Sequence, residues 1–173
     1  MNLQHALANN HSKQTVNQIV EYIDSNPEKF NQLMEVFYGE DTRLSQRAAW
    51  SMSEIAIKSP DLLLSHLGKM IDLLPKKEPD AIKRNILRTF QFIDLPEKYA
   101  GLAFENALNL LIDPTNAIAI RAFAITIVTK ICNQYPELKN EVLGALDMIM
   151  EEDITAAIKV RCRNSLSTLN QLS

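Results

Sequence analysis

The sequence is poor in the residues that β-sheet architectures need. Its 173 residues include only 4 glycines, 7 prolines and 6% aromatic residues, whereas sandwiches and barrels need many tight turns and many β-branched or aromatic strand residues. The glycines, at positions 39, 68, 101 and 144, are too far apart to form a glycine-rich phosphate-binding loop. These shortages exclude most all-β folds and most nucleotide-binding motifs.

Cysteine and histidine are equally scarce. Cys132 and Cys162 have no CxxC spacing and no nearby histidine, which predicts two small core residues rather than a disulfide or a zinc site. His5 and His11 lie near the N-terminus and His66 stands alone, so the sequence offers no Ser-His-Asp or Cys-His arrangement. We therefore predict no catalytic residue, no cofactor and no metal ion, and we expect that the protein is not an enzyme.

Long hydrophobic runs are also missing. No stretch approaches the ~18 apolar residues of a membrane span, and the longest apolar-rich run, 117–128, is interrupted by Arg121 and Thr126. The first residues lack the basic and apolar pattern of a signal peptide. A hydrophobic fraction of 46% with 23% charged residues is typical of a globular chain. We therefore expect a cytoplasmic protein that does not contact a membrane.

What the sequence does contain is an internal repeat headed by prolines. Four prolines are each followed by an acidic residue, in the pairs Pro27-Glu28, Pro60-Asp61, Pro96-Glu97 and Pro136-Glu137. Their intervals are 33, 36 and 40 residues. Proline is favoured at the first position of a helix, and an acid beside it stabilises the positive end of the helix dipole. Each pair therefore predicts the start of a helix.

A second helical stretch follows each of these helices after a short polar break. The second helices are predicted over 42–58, 79–93, 116–134 and 154–172, where apolar residues keep the helical period. Each carries one arginine near its start, namely Arg47, Arg84, Arg121 and Arg161. We predict a single domain over 1–173, with copies at approximately 27–59, 60–95, 96–135 and 136–172. An N-terminal helix is predicted over 12–25, and residues 2–9 would add a short tenth helix.

These second helices resemble those of the HEAT and armadillo-like α-solenoid families. Asp113-Pro-Thr-Asn-Ala-Ile-Ala-Ile-Arg121 looks like the turn aspartate of those families followed by the arginine of the second helix. Asp153 to Arg161 repeats the same eight-residue step, while the other two copies have steps of six and four residues. The resemblance implies an all-α fold, a right-handed α-α superhelix of about four HEAT-like helix pairs plus an N-terminal helix.

The resemblance also implies roles for the repeat arginines. Arg47, Arg121 and Arg161 are expected to be structural, and for Arg121 and Arg161 the expected partner is a turn aspartate of the same or a neighbouring copy. In the families resembled, second helices line the concave side. The predicted wall is the stripe at offsets 0, +4 and +7 from each arginine. The third copy has Ile125 and Val128 there; we expect a rotated, buried helix, the alternatives being an apolar floor or a covered face.

Charge is segregated by helix type. The predicted second helices contain eleven cations, which are Arg43, Arg47, Lys58, Lys83, Arg84, Arg88, Arg121, Lys130, Lys159, Arg161 and Arg163. Only Glu54 and Asp80 oppose them, so these segments carry +9 in a chain whose total charge is −3. The rest of the chain therefore carries −12. We predict a basic concave face that favours a partner with an acidic surface.

The function expected from this sequence is a non-enzymatic scaffold that binds another protein or a peptide through the basic concave face. The candidate binding residues are Trp50, Glu54, Lys58, Lys83, Arg84, Arg88, Gln91 and Arg163. Four of them, Lys58, Lys83, Arg88 and Arg163, are expected to have no bonding role within the stack. Two alternatives stay open: a nucleic-acid-binding solenoid related to DNA alkylation-repair proteins, and a small helical subunit of a larger complex.

Overall fold

The computed structural model describes residues 1–172 and is all-helical over them, as predicted. Its ten α-helices are α1 (Leu3–Asn9), α2 (Lys13–Ile23), α3 (Pro27–Phe37), α4 (Thr42–Lys58), α5 (Leu67–Leu73), α6 (Asp80–Phe90), α7 (Glu97–Ile112), α8 (Ile118–Gln134), α9 (Lys139–Met150) and α10 (Ala156–Leu169). Two short 3-10 helices, Pro60–His66 and Pro136–Leu138, precede α5 and α9.

The helices pack as a helical repeat superhelix. The even-numbered helices α2, α4, α6, α8 and α10 contact one another in chain order, and α5, α7 and α9 form a second series. Contacts of α7 with α8 and of α9 with α10 join the two series. At the N-terminal end, α3 packs on α4, and α1 packs on α2, α3 and α4. Each pair buries its apolar faces against its neighbours, which is how helical repeats build a continuous core.

Two of the four prolines mark α-helix starts. Pro27 is the first residue of α3, and the Asn26 side chain caps this helix by accepting a hydrogen bond of 3.0 Å from the backbone N–H of Lys29. Pro96 directly precedes α7. Proline suits these positions because its missing N–H would have no partner in the first turn.

Pro60 and Pro136 also begin helices, as predicted, but these helices are not of the α type. Each begins a 3-10 helix, and the α-helices start only at Leu67 and Lys139. Proline fixes a φ angle that both helix types share, so it marks a start without deciding which helix follows. Tight 3-10 turns are common at the N-termini of α-helices.

The second helices follow the predicted segments closely. The bounds of α4 coincide with the predicted 42–58, and α6, α8 and α10 lie within the other three segments. The Asp41 carboxylate caps α4 by accepting hydrogen bonds from the backbone N–H groups of Arg43 and Leu44, at 2.9 and 3.1 Å. The Thr155 hydroxyl caps α10.

One apolar core runs through the array, from Leu3 to Leu169. Ile125 and Val128 are only 1% and 0% exposed, so their expected burial is confirmed. Leu67 is fully buried, whereas Leu143, its counterpart in the repeat, is half-buried. Within residues 1–172, no helix is both long enough and apolar enough to cross a membrane.

Candidate functional site

Several cavities open on the even-numbered helices, and we call the surface lined by the following three the cavity face. The first, of about 220 Å³, is lined by His11, Arg43, Gln46, Arg47, Trp50, Ala81, Arg84 and Asn85. The second, of about 360 Å³, adjoins the first and is lined by His11, Trp50, Arg84, Asn85, Arg88 and Phe123. The third, also about 360 Å³, is lined by Ile125, Thr126, Thr129, Lys130, Asn133, Arg161, Asn164, Ser165 and Thr168.

The first two cavities form one positively charged recess. Arg43, Arg47, Arg84 and Arg88 line it, and none of the described lining residues carries a carboxylate. Arg43 and Arg84 are exposed, and their guanidinium groups make no hydrogen bond or ion pair to the described part of the chain. These two arginines are therefore free to bind an anion from outside.

Arg47 bonds within the stack, and its partners are carbonyl groups. Its Nη1 atom donates to the backbone oxygens of Leu7 and Ala8 in the last turn of α1, at 2.6 and 3.0 Å. These oxygens have no partner within their own helix, because the final carbonyls of an α-helix lack the following N–H groups. Arg47 thus fixes α1 to α4 while its side chain also lines the first cavity.

The expectation that Arg88 has no bonding role within the stack is wrong. Its guanidinium donates to Glu54 Oε1 at 2.8 Å and to Ser53 Oγ at 3.1 Å, which ties α6 to α4. Lys13 of α2 binds the other carboxylate oxygen of Glu54 at 2.8 Å. Partial burial alone would raise the pKa of Glu54, but the hydrogen bonds and charges of Lys13 and Arg88 outweigh it and lower the pKa.

The prediction that Arg121 binds a turn aspartate is wrong. Arg121 is 5% exposed and forms a bidentate pair with Glu152, with N–O distances of 2.9 and 3.1 Å, and its Nε atom donates to the Leu111 oxygen. The turn aspartate Asp113 instead accepts hydrogen bonds from the backbone and hydroxyl of Thr115, which lower its pKa. The Asp113 side chain closes its own turn, and Glu152, which precedes α10, is the partner of Arg121 instead.

Arg161 also lacks the expected aspartate partner. Its Nη1 atom donates to Thr126 Oγ1 of α8 at 2.7 Å, and its guanidinium lies over the Phe123 ring, 5.3 Å from the centroid. The aspartate at the expected spacing, Asp153, is exposed and makes no side-chain bond to residues 1–172. Arg161 therefore joins α10 to α8 through a hydroxyl and an aromatic face.

Trp50 is half-buried and lines both cavities of the recess. The His11 ring packs edge-on against it with centroids 5.2 Å apart, and the Lys13 ammonium lies 5.9 Å from the ring centroid. The residues just before α2 thus form one wall of the recess.

Only half of the predicted binding residues lie together. Trp50, Glu54, Arg84 and Arg88 lie in or beside the recess. The others lie elsewhere: Lys58 beside a separate cavity that also includes Glu21 and Asp24, Lys83 on α6, Gln91 at the end of α6, and Arg163 on α10. Lys58 and Arg163 are exposed, and the side chains of Lys58, Lys83 and Arg163 make no hydrogen bond or ion pair to residues 1–172.

Several residues of the recess were missed by the sequence prediction. His11 was assigned to a terminus without a role, and Arg43 counted only as one of eleven cations, although it lies four residues before Arg47 on the same helix face. Phe123, on α8, carries no sequence signal because its contact with Arg161 depends on how two helices pack. Helical spacing could have found Arg43, but not His11 or Phe123.

The described residues hold no group of three or more His, Cys, Asp and Glu side chains placed to bind a metal ion. Cys132 and Cys162 are buried and free. Burial raises the pKa of the Cys132 thiol to about 11 and also raises that of Cys162. Both thiols therefore stay protonated at neutral pH, which agrees with their predicted place in the core.

Comparison with known proteins identifies the family but no individual relative. Searches of curated proteins and of solved structures return no significant match. The profile of a HEAT repeat domain matches residues 3–169, nearly the whole chain and all ten helices. HEAT repeats are in general non-enzymatic helical scaffolds for protein interaction. The profile match and the serial packing of the helix pairs lead to one conclusion: the chain belongs to the HEAT-repeat family.

Proposed function

We propose that this HEAT-repeat protein is a non-enzymatic scaffold that binds an acidic segment of another protein on its cavity face, which is the concave side of the superhelix. The observation that carries the proposal is the recess between α4 and α6. Four arginines line it without a lining carboxylate. Arg43 and Arg84 among them have no bonding partner in residues 1–172. A concave positive surface attracts acidic groups and concentrates them.

The side chains beside these arginines favour a protein partner. Trp50 and Phe123 expose part of their rings to the recess. Tryptophan and arginine are the residues most enriched at the energetic centres of protein interfaces, where an apolar ring and a guanidinium together bind mixed surfaces. We expect the partner segment to combine carboxylates with at least one apolar side chain. Cytoplasmic location stays a prediction.

Nucleic acid is the weaker candidate because of charge outside the recess. The chain carries −3 in total, and the predicted second helices are its basic part, so the remaining surface repels a long polyanion. Sequence-independent binding of nucleic acid needs several phosphate contacts along an extended basic track. Lys58, Lys83 and Arg163, which would have to extend such a track, lie outside the recess.

The proposal is tested with a short fluorescein-labelled peptide of Glu, Asp and Leu and a matched peptide in which Gln and Asn replace the acids. The acidic peptide should bind better, and the double variant Arg43→Glu/Arg84→Glu should weaken it by about tenfold or more, since each lost charged hydrogen bond contributes about 1.5–3 kcal/mol. The matched control is Lys58→Glu/Arg163→Glu, which changes charge equally outside the recess and should leave affinity nearly unchanged.

Three results would overturn the proposal. The first is equal binding of the acidic and the neutral peptide, and the second is an equal loss of affinity in both double variants. The third comes from a duplex DNA oligonucleotide used as competitor. If the DNA binds more tightly than the acidic peptide, with affinity that falls steeply as salt rises, the recess is a nucleic-acid site instead.

A further inference from the structure

We propose that the first cavity is a phosphoryl pocket, which takes a phosphorylated serine or threonine side chain of the acidic partner segment. This inference rests on the proposed function, because it assumes that a protein segment enters the recess. The pocket's arginines are Arg43 and Arg47 from α4 and Arg84 from α6, and the rings of His11 and Trp50, which pack edge-on, also line it.

Hydrogen-bond donors remain available in this cavity. Arg47 uses only Nη1 to hold the end of α1, so its Nε and Nη2 groups make no hydrogen bond to residues 1–172. This contact also fixes the position of the guanidinium in advance. Arg43 and Arg84 keep all their side-chain donors free within the described chain. A guanidinium carries five N–H donors, so the three side chains offer many more donors than one carboxylate could use.

A phosphoryl group fits these donors better than a carboxylate does. A phosphomonoester carries about −1.5 to −2 charges and three strong acceptor oxygens, whereas a carboxylate carries one charge on two oxygens. Donors converging from two helices can reach several oxygens of a tetrahedral group at once. Arginine is the residue best suited to this recognition because its planar fork binds two oxygens together.

The volume of the cavity and its positive charge also favour a phosphoryl group. Its volume of about 220 Å³ is below the range of about 300–1,000 Å³ that is typical of small-molecule sites, which suits a single side-chain group. The carboxylate of the next acidic residue along α4, Glu54, is already bound by Lys13 and Arg88 at 2.8 Å each. Glu54 therefore does not neutralise the three arginines.

The experiment compares three forms of one acidic peptide, with serine, glutamate or phosphoserine at its centre, at constant ionic strength. Trp50 is the only tryptophan of the chain and lines the cavity, so its fluorescence reports occupation directly. The phosphoserine form should bind about tenfold more tightly than the glutamate form, which is the effect of one additional charged hydrogen bond. Inorganic phosphate should compete for the cavity and change the Trp50 emission.

The variant that tests the pocket is Arg84→Gln. Arg84 is exposed and unbonded within residues 1–172, so its replacement should leave the fold intact, which circular dichroism verifies. Arg84→Gln should reduce the preference for phosphoserine to about threefold or less, and Arg84→Lys should give an intermediate value because it keeps the charge without the fork. Arg163→Gln on α10 is the matched control and should keep the full preference.

The outcomes separate this inference from the function on which it rests. Equal binding of the phosphoserine and glutamate forms overturns the phosphoryl pocket, and so does a preference that survives Arg84→Gln. In both cases the scaffold function is still supported if the glutamate form binds the wild-type protein and loses this binding in Arg43→Glu/Arg84→Glu. Both proposals fail if neither form binds. They also fail if duplex DNA displaces the labelled phosphopeptide at a lower concentration than the unlabelled phosphopeptide does.

Discussion

At the scale of single residues, cations in this protein bind helix ends as often as carboxylates. Arg47 binds the last carbonyls of α1, and the Lys130 ammonium binds the oxygens of Phe90, Gln91 and Ile93 at the end of α6, at 3.4, 3.1 and 2.6 Å. A positive charge is favourable at this negative end of the helix dipole. Five of the eleven second-helix cations make a bond of some kind within the stack. Arg47 and Lys130 bind carbonyl oxygens, Arg88 and Arg121 form ion pairs, and Arg161 binds the Thr126 hydroxyl. The carbonyl bonds leave the charges of Arg47 and Lys130 in place, so only the ion pairs with carboxylates reduce the charge left for a partner.

The pair between Arg121 and Glu152 gives a stability prediction. The Arg121 side chain is 6% exposed and that of Glu152 is 30% exposed. Glu152→Gln would leave a buried guanidinium without its counter-charge, so the free energy of unfolding should fall by about 1–3 kcal/mol, less than for a fully buried pair because water reaches the Glu152 side. Urea denaturation measures the change. Glu151→Gln, at an exposed neighbour, is the control, and equal effects of the two substitutions would contradict the prediction.

The lowered pKa of Glu54 gives a prediction for pH. Because the folded protein favours the ionised carboxylate, the stabilisation by Glu54 is fully present above the ordinary glutamate pKa of about 4.3 and is lost as pH falls through and below that value. The wild-type protein should therefore lose more stability than Glu54→Gln when pH is lowered from about 7 to about 3.5. Urea midpoints at both pH values test this. Parallel losses in the two proteins would show that Lys13 and Arg88 do not favour the ionised form.

At the scale of helices, apolar period and proline position predicted where most elements lie. The bounds of α4 were predicted to the residue because Asp41 caps its start and polar residues follow its end. The helix starts at Pro60 and Pro136 were predicted, but their 3-10 type was not, because a 3-10 and an α-helix share their first dihedral angles. The partners of Arg88 and Arg121 were missed for another reason. They depend on the register between neighbouring helices, which no single-helix pattern contains.

Two glycines at matching repeat positions offer an element-scale prediction. A methyl group at Gly144 of α9 would meet nothing within 4 Å, whereas at Gly68 of α5 it would approach the Tyr99 ring of α7 to 3.3 Å. Gly144→Ala should stabilise the protein by about 0.5–1 kcal/mol through the higher helix propensity of alanine. Gly68→Ala should stabilise the protein less than Gly144→Ala or should destabilise it, because the Tyr99 ring must move. Thermal unfolding of both variants decides, and equal gains would mean that the α5–α7 contact is loose.

At the scale of the whole molecule, the continuous core predicts cooperative unfolding. Buried apolar residues connect Leu3 to Leu169 without interruption, although each helix pair contacts only its neighbours. If coupling between neighbours is strong, the array unfolds as one unit despite its repeat architecture. Leu146→Ala, at a fully buried site of α9, should then lower stability by about 2–5 kcal/mol.

The measurement uses two probes at different places. Trp50 fluorescence reports on α4, near the other end of the array, while circular dichroism reports on all helices. The urea midpoints of the two signals should fall by the same amount in Leu146→Ala. A Trp50 transition that stays at its wild-type midpoint would show that the repeats unfold independently.

The candidate binding surface as a whole was only partly predictable. The basic character of the second helices follows from composition, and Trp50 and Arg84 were identified from helical spacing. The recess itself depends on four separate parts of the chain, since His11 precedes α2, Arg43 and Arg84 lie on α4 and α6, and Phe123 lies on α8. A sequence orders residues along one chain, whereas a cavity is defined by distances between chain segments. Lys58 and Arg163 fit the charge pattern and still lie outside the recess for that reason.

The packing of α1 on α2, α3 and α4 has a consequence for synthesis. The main helix–helix contacts of α1, α2 and α3 are made among themselves and with α4, and Arg47 closes the unit by binding the end of α1. As soon as Lys58 leaves the ribosome, every helix that this unit requires is present. The nascent chain can therefore bury the apolar surface of these four helices before the later ones are made and extend the stack by one helix pair at a time. Growth of the polypeptide and growth of the superhelix would then proceed in the same direction.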